Sequence, residues 1–165
     1  MTQIEWLLQE LHFEAEKTRK TLERVPEKEF AWRPHERSMT LQKLASHLGD
    51  LLEWAVPALT QTEIRFEMKG HKSWEGASRA EILAKFDSTH AAARKALANA
   101  RDEDLTVPWS LIVDGKTLFT QPRGMVLRTM VFNHMVHHRA QLGVYLRMLG
   151  VPVPAVYGPS ADERP

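Results

Sequence analysis

Three histidines are the residues on which chemistry in this chain could turn. His134 and His138 stand four apart in PRGMVLRTMVFNHMVHHRAQLGVYLRML, residues 122–149. Within that stretch Leu127, Val131, His134, His138, Leu142, Tyr145 and Leu149 recur at steps of three and four, which is one face of an α-helix. Residues at i and i+4 lie one turn above the other, close enough to share a ligand. His47 sits in a second stripe of the same kind, with Leu41, Leu44, Leu51, Trp54 and Ala58. Burying imidazoles among such side chains is unfavourable unless their nitrogens find partners. Three neutral imidazoles plus water make a first-row metal site with an open position, the form that reacting centres take. A structural site is usually closed by four protein ligands. Periodicity alone leaves a second reading open, in which all three are core histidines satisfied by carbonyls or ordered water.

The segments that must position these residues read as four helices. The first spans about Gln3 to Arg24. Ile4, Leu8, Leu11, Ala15, Thr18, Leu22 and Val25 face inward, Glu10, Glu14, Lys17 and Arg24 fall outside the stripe, and Pro26 ends it. His12 borders that stripe as a partly buried polar residue. Phe30 to Met39 is a loop in which Trp32 plugs the bundle end and His35 lies at the surface. The second helix begins near Thr40, an N-cap, and Pro57 kinks or ends it. Gln61 to Gly76 is a long connection in which TEIRFEMK alternates only weakly and His71 keeps polar, turn-forming company. A link of that length permits a crossover, so the second and third helices need not be antiparallel neighbours. Ser78-Arg79-Ala80-Glu81 matches a capping box and opens the third helix, which carries Leu83, Phe86, His90, Ala93 and Leu97 at helical spacing. Asp114-Gly115 between apolar runs signals a short hairpin or irregular excursion before the fourth helix. Pro122 suits the first turn of that helix and Gly150 its C-terminal cap. His137 points about 100° away from His138, toward solvent or a partner chain. The fold class expected is all-α: a four-helix bundle forming one domain over residues 1–165.

Composition narrows the function classes. The chain has 165 residues, no cysteine and a formal net charge of +1. Disulfides, thiolate zinc sites and cysteine nucleophiles are thereby excluded. The absence of cysteine fits a reducing compartment, and MTQIEWLLQELHFEAEK carries acids where a secretory signal would be apolar. No apolar run approaches the ~20 residues of a membrane span. Acids and bases are interspersed, which argues against a phosphate-tracking surface. The expectation is a cytoplasmic protein with neither a nucleic-acid nor a membrane partner. Competing motifs are missing. Met135 follows His134, so HExxH is absent, and there is no Glu-x-x-His pair, C-x-x-C-H, Gly-x-Ser-x-Gly or glycine-rich phosphate loop.

Three blocks, WRPHERSMTLQKLASHL, NHMVHHRAQLGVYLRMLGVPVP and the closing YGPSADE, resemble the DinB/YfiT-like family, and the likeness runs over nearly the whole chain. The resemblance implies a four-helix bundle with up-down-down-up connectivity. It implies one histidine ligand on the second helix and a pair on the fourth, here His47, His134 and His138. It further implies a divalent metal ion, zinc or nickel foremost, and a homodimer. Characterised relatives include thiol-dependent S-transferases and a mycothiol-dependent isomerase.

Two functional expectations follow. One is a metal-dependent enzyme of hydrolase or thiol S-transferase type, acting on a small-molecule substrate such as a low-molecular-weight thiol. The other is a non-catalytic metal-binding bundle acting through a partner or dimer surface. Asp50 and Gln141 are spaced to orient the ligands, with Asp50 facing water as the other reading; Trp54 and Tyr145 either line a pocket or simply pack, since both lie on core stripes. Met130, Val144 and Met148, off the inner stripe of the fourth helix, offer an apolar patch for a second copy.

Overall fold

The structure is a computed structural model and describes residues 1–164. Four helical rods carry the core. The first is α1 (Gln3–Leu22), opened by a reciprocal cap: the Thr2 hydroxyl accepts from Glu5 N, and the Glu5 carboxylate accepts from Thr2 N. The second comprises α2 (Leu41–Asp50) and α3 (Ala55–Thr60), joined by a 3₁₀ turn over Leu51–Trp54. The Thr40 hydroxyl caps α2 by accepting from Lys43 N. Pro57 has no N–H to return to the preceding turn, which is where the rod tightens. After β1 (Glu63–Phe66) comes the third rod, α4 (Arg79–Ala98), capped by Ser78 accepting from Glu81 N.

Beyond β2 (Pro108–Val113) and β3 (Lys116–Pro122), the fourth rod starts with α5 (Arg123–Val126). It passes through a π-helical turn, Leu127–Phe132, and continues as α6 (Asn133–Met148). Gly150, at φ +71°, lets Val151 N–H reach back to the Leu146 carbonyl at 2.9 Å and stop the helix.

Side-chain contacts fix how the rods run. Arg19 pairs with Asp87, Arg79 donates to the Val25 carbonyl, and Asp102 accepts from the amides of Gln3 and Ile4. The first and third rods are therefore antiparallel. Tyr145 donates to the Met39 carbonyl at one end of the fourth rod, and Arg123 to the Gln61 carbonyl at the other. The fourth is thus antiparallel to the second. Gln42 donates to the Gly76 carbonyl and Thr89 to that of Gly49, so the second and third rods lie side by side in the same direction. Leu11, Leu22, Leu44, Leu51, Phe86, Leu97 and Val131 fill the space between the rods.

An all-α class does not hold. β2 and β3 form the hairpin that Asp114-Gly115 signals, with both turn residues at positive φ (48° and 73°). β1 pairs in parallel with β2, Glu63 opposite Ser110 through Phe66 opposite Val113, which completes a three-stranded sheet in the order β1-β2-β3. The weak alternation of EIRF conceals the strand, because β1 is short and only partly covered. Trp109 of β2 is wholly buried and donates from its indole to the Pro57 carbonyl at 3.1 Å, fixing the sheet to the end of the second rod.

The connection returns to the bundle at Trp74–Gly76. Gly76 N donates to the Ser46 hydroxyl, and its carbonyl accepts from Gln42. A Cβ on Gly76 would lie 2.7 Å from Ile82 Cγ1 and 3.0 Å from the Trp74 ring. Gly76→Ala is expected to destabilise the protein by about 1–3 kcal/mol through overpacking. Urea denaturation followed by tryptophan emission measures this, and an unchanged midpoint would contradict it.

Candidate metal centre

His47 projects from the middle of α2, and His134 and His138 from the first two turns of α6. One ring nitrogen from each lies within 4.8 Å of those of the other two. His47 Nε2 stands 3.2 Å from His134 Nε2, which stands 2.8 Å from His138 Nε2. Nitrogens sharing one ion at ~2.0–2.1 Å would be spaced at roughly 3 Å.

The far sides of the rings show which nitrogens are free. His138 donates from Nδ1 to Gln141 Oε1 at 2.7 Å, so its Nε2 carries a lone pair when the ring is neutral. His134 turns its Nε2 to the other two rings. His47 Nδ1 faces the Asp50 carboxylate at 3.6 Å. Three Nε2 atoms thus converge while the Nδ1 atom of His138 is held outside by Gln141. Facing lone pairs repel unless a proton or cation lies between them, so the donor set suits a divalent ion of the kind imidazole ligates.

The remaining histidines stay apart from this cluster. His137 is exposed, with its ring 4.9 Å from that of His138. His12 is exposed rather than partly buried, and His35 is at the surface. His90 stacks on Phe86, and its Nε2 is buried with no partner among the described residues. Tyr145 packs edge-on against Trp32 in the core.

A cleft of about 640 Å³ opens beside His47. Trp54 and Pro57 of the second rod, Ile64 of β1 and Trp74 of the connection wall it. His71 also lines it, although nothing in its sequence neighbourhood marks it as more than a turn residue.

The DinB family pattern matches residues 1–164. The chain belongs to the DinB family. It is 25% identical over 163 residues to the protein named Uncharacterized protein YrdA of Bacillus subtilis (strain 168), spanning 97% of this chain and 91% of that protein. A DinB-like protein from Bacillus cereus ATCC 10987 superposes with a TM-score of 0.72 at 27% identity, covering 95% of this chain and 100% of that one. The DinB-like protein YjoA from Bacillus subtilis gives 0.69 at 15% identity over 92% and 96% of the two chains, a likeness of fold alone.

Within this DinB-family site, burial pushes the His138 ring down to about 4, reinforced by repulsion from His47, His134 and His137 and opposed by the bond to Gln141. Burial lowers His134 as well, with His47 adding to the effect. Both rings are therefore neutral at pH 7 before any ion arrives. The stability consequence has a definite sign. A ring whose folded pKa lies below its unfolded value of ~6.5 contributes fully above that value and loses its contribution as pH falls toward the folded one. Metal-free protein should lose stability from about pH 6.5 down to about 4, and His138→Gln should flatten that slope. Thermal melts across this range measure it, and identical slopes in the two proteins would contradict it.

Proposed function

We propose that this chain is a metal-dependent enzyme in which His47, His134 and His138 hold a divalent ion, zinc or nickel, for hydrolysis or thiol S-transfer on a small molecule. The observation that carries this reading is the convergence of three Nε2 atoms beside a cleft. A divalent ion bound there would lower the pKa of water or of a thiol toward neutrality. The protein's own groups do the positioning. Gln141 holds the His138 ring with Nε2 presented, and Asp50 flanks His47. Trp54 and Trp74 shield the cleft and raise the weight of every charge inside it. Three protein ligands leave a coordination position, and the cleft beside His47 gives it an approach. A cytoplasmic location belongs to the same proposal.

A second reading rests on the outer face of α6, where Val144 and Met148 are each 59% exposed while Met130 packs against the core. In it the ion only stiffens the bundle, and the protein acts through that face with a second copy or a partner. Cobalt substitution separates the two. Adding a small thiol to the cobalt-loaded protein should produce a sulfur-to-cobalt charge-transfer band if a position is open. No band, together with four protein ligands by X-ray absorption, would favour the stiffening role.

A further inference from the structure

The charges around the cleft are unevenly paired. Of its two carboxylates, Asp50 faces His47 and Glu53 pairs with Lys85. Lys43 and Lys72 line the same cleft, and neither has a carboxylate within ion-pair distance among the described residues. Lys43 follows the cap of α2, one turn before His47 on the same helix, so its ammonium stands on the histidine side of the mouth. Lys72 approaches from the connection opposite.

Around His47 the cleft walls are flat and stiff. Trp54 leans on the buried Trp109 with ring centroids 6.5 Å apart. Trp74 lies against Gly49 and Gly76, where any Cβ would crowd its ring, and the Lys85 ammonium sits 5.6 Å from its centroid. Rigid aromatic surfaces of this kind suit a flat apolar group, and uncompensated ammonium groups at a mouth suit a negative one. A cleft of about 640 Å³ is within the range that encloses a small molecule.

We propose that the cleft is a binding site for a small amphipathic anion, its flat apolar body against Trp54 and Trp74 and its anionic head at Lys43 and Lys72. His47 then borders the junction of head and body, so that a group there would meet an ion held by His47, and only that last clause rests on the metal-centre reading above. The lysines select by charge whether or not an ion is bound.

The test uses the full chain with naphthalene-carboxylate and the matching naphthalene-carboxamide, which share shape and differ in charge. Affinities are read by calorimetry in metal-free and in zinc-treated protein. In metal-free wild type the carboxylate should bind about fivefold to tenfold more tightly than the amide. Lys43→Gln/Lys72→Gln should abolish that preference and leave amide affinity and melting temperature unchanged. Trp74→Leu should weaken both ligands alike. Equal binding of the two ligands by metal-free wild type, or binding of neither, overturns the proposal. So does a preference that survives the double substitution. A preference seen only with zinc present assigns the carboxylate to the ion instead, which overturns the lysine site and leaves the metal centre intact. Failure to bind zinc, with the charge preference preserved, does the reverse.

Discussion

Metal-free protein titrated with zinc to a thousandfold above its dissociation constant gains about 4 kcal/mol of stability, provided the ion binds only the folded chain. For a chain of this length that is a rise of roughly 8–16 °C in melting temperature. His47→Ala, His134→Ala and His138→Ala should each remove most of the rise, because each takes away one of the three ligands of the proposed site. His137→Ala is the control. Its ring neighbours His138 but lies outside the group of three, so the increment should survive intact. Scanning calorimetry with and without zinc reads all five proteins. A wild-type melting temperature indifferent to zinc, nickel and chelator would end the metal-centre proposal.

The second large effect lies one residue from the centre. Arg139 and Glu14 form an ion pair at 2.6 Å with their side chains 3% and 8% exposed. Arg139 also donates to the Glu14 carbonyl, to the Thr18 hydroxyl and to the Tyr157 hydroxyl, and Tyr157 in turn donates to the Glu14 carboxylate. Arg139→Met leaves that carboxylate buried without its cation and should destabilise by about 3–5 kcal/mol. Adding Glu14→Met should restore much of the loss, since a pair removed together leaves no orphan charge. Chemical denaturation of the single and double variants checks both statements. A double variant less stable than Arg139→Met alone would contradict the orphan-charge explanation. Because Tyr157 anchors the segment after α6, the single substitution should also expose that segment to protease.

These two sites differ in how far they could be read in advance. The histidine cluster was legible because each of its members sits within an apolar stripe of its helix, and a stripe of that kind means an inward face. The buried pair was not. Glu14 reads as a surface acid by periodicity, and Arg139 lies off the stripe through His138. A single stripe assumes one packing partner, whereas α6 touches α1 through Arg139 and the second rod through His134 and His138. Its buried surface consequently spans Met135, Arg139 and Leu146 as well as His138, Leu142 and Tyr145, with His134 at the border. The π turn was equally invisible, since nothing in LRTMVF differs from an ordinary helical stretch. The capping residues Thr40, Ser78 and Gly150 were legible because caps depend on local chemistry. β1 was not, because its pairing depends on a strand more than forty residues away.

That distant pairing bears on the order in which the molecule assembles. The hairpin closes over a two-residue turn and can form early, with little chain entropy to overcome. The parallel edge, Glu63–Phe66 against Ser110–Val113, encloses all of α4 in its loop and must wait until that helix has found its place. The cleft is therefore finished late, and amide exchange should find its Ile64 side opening more readily than the bundle beneath it.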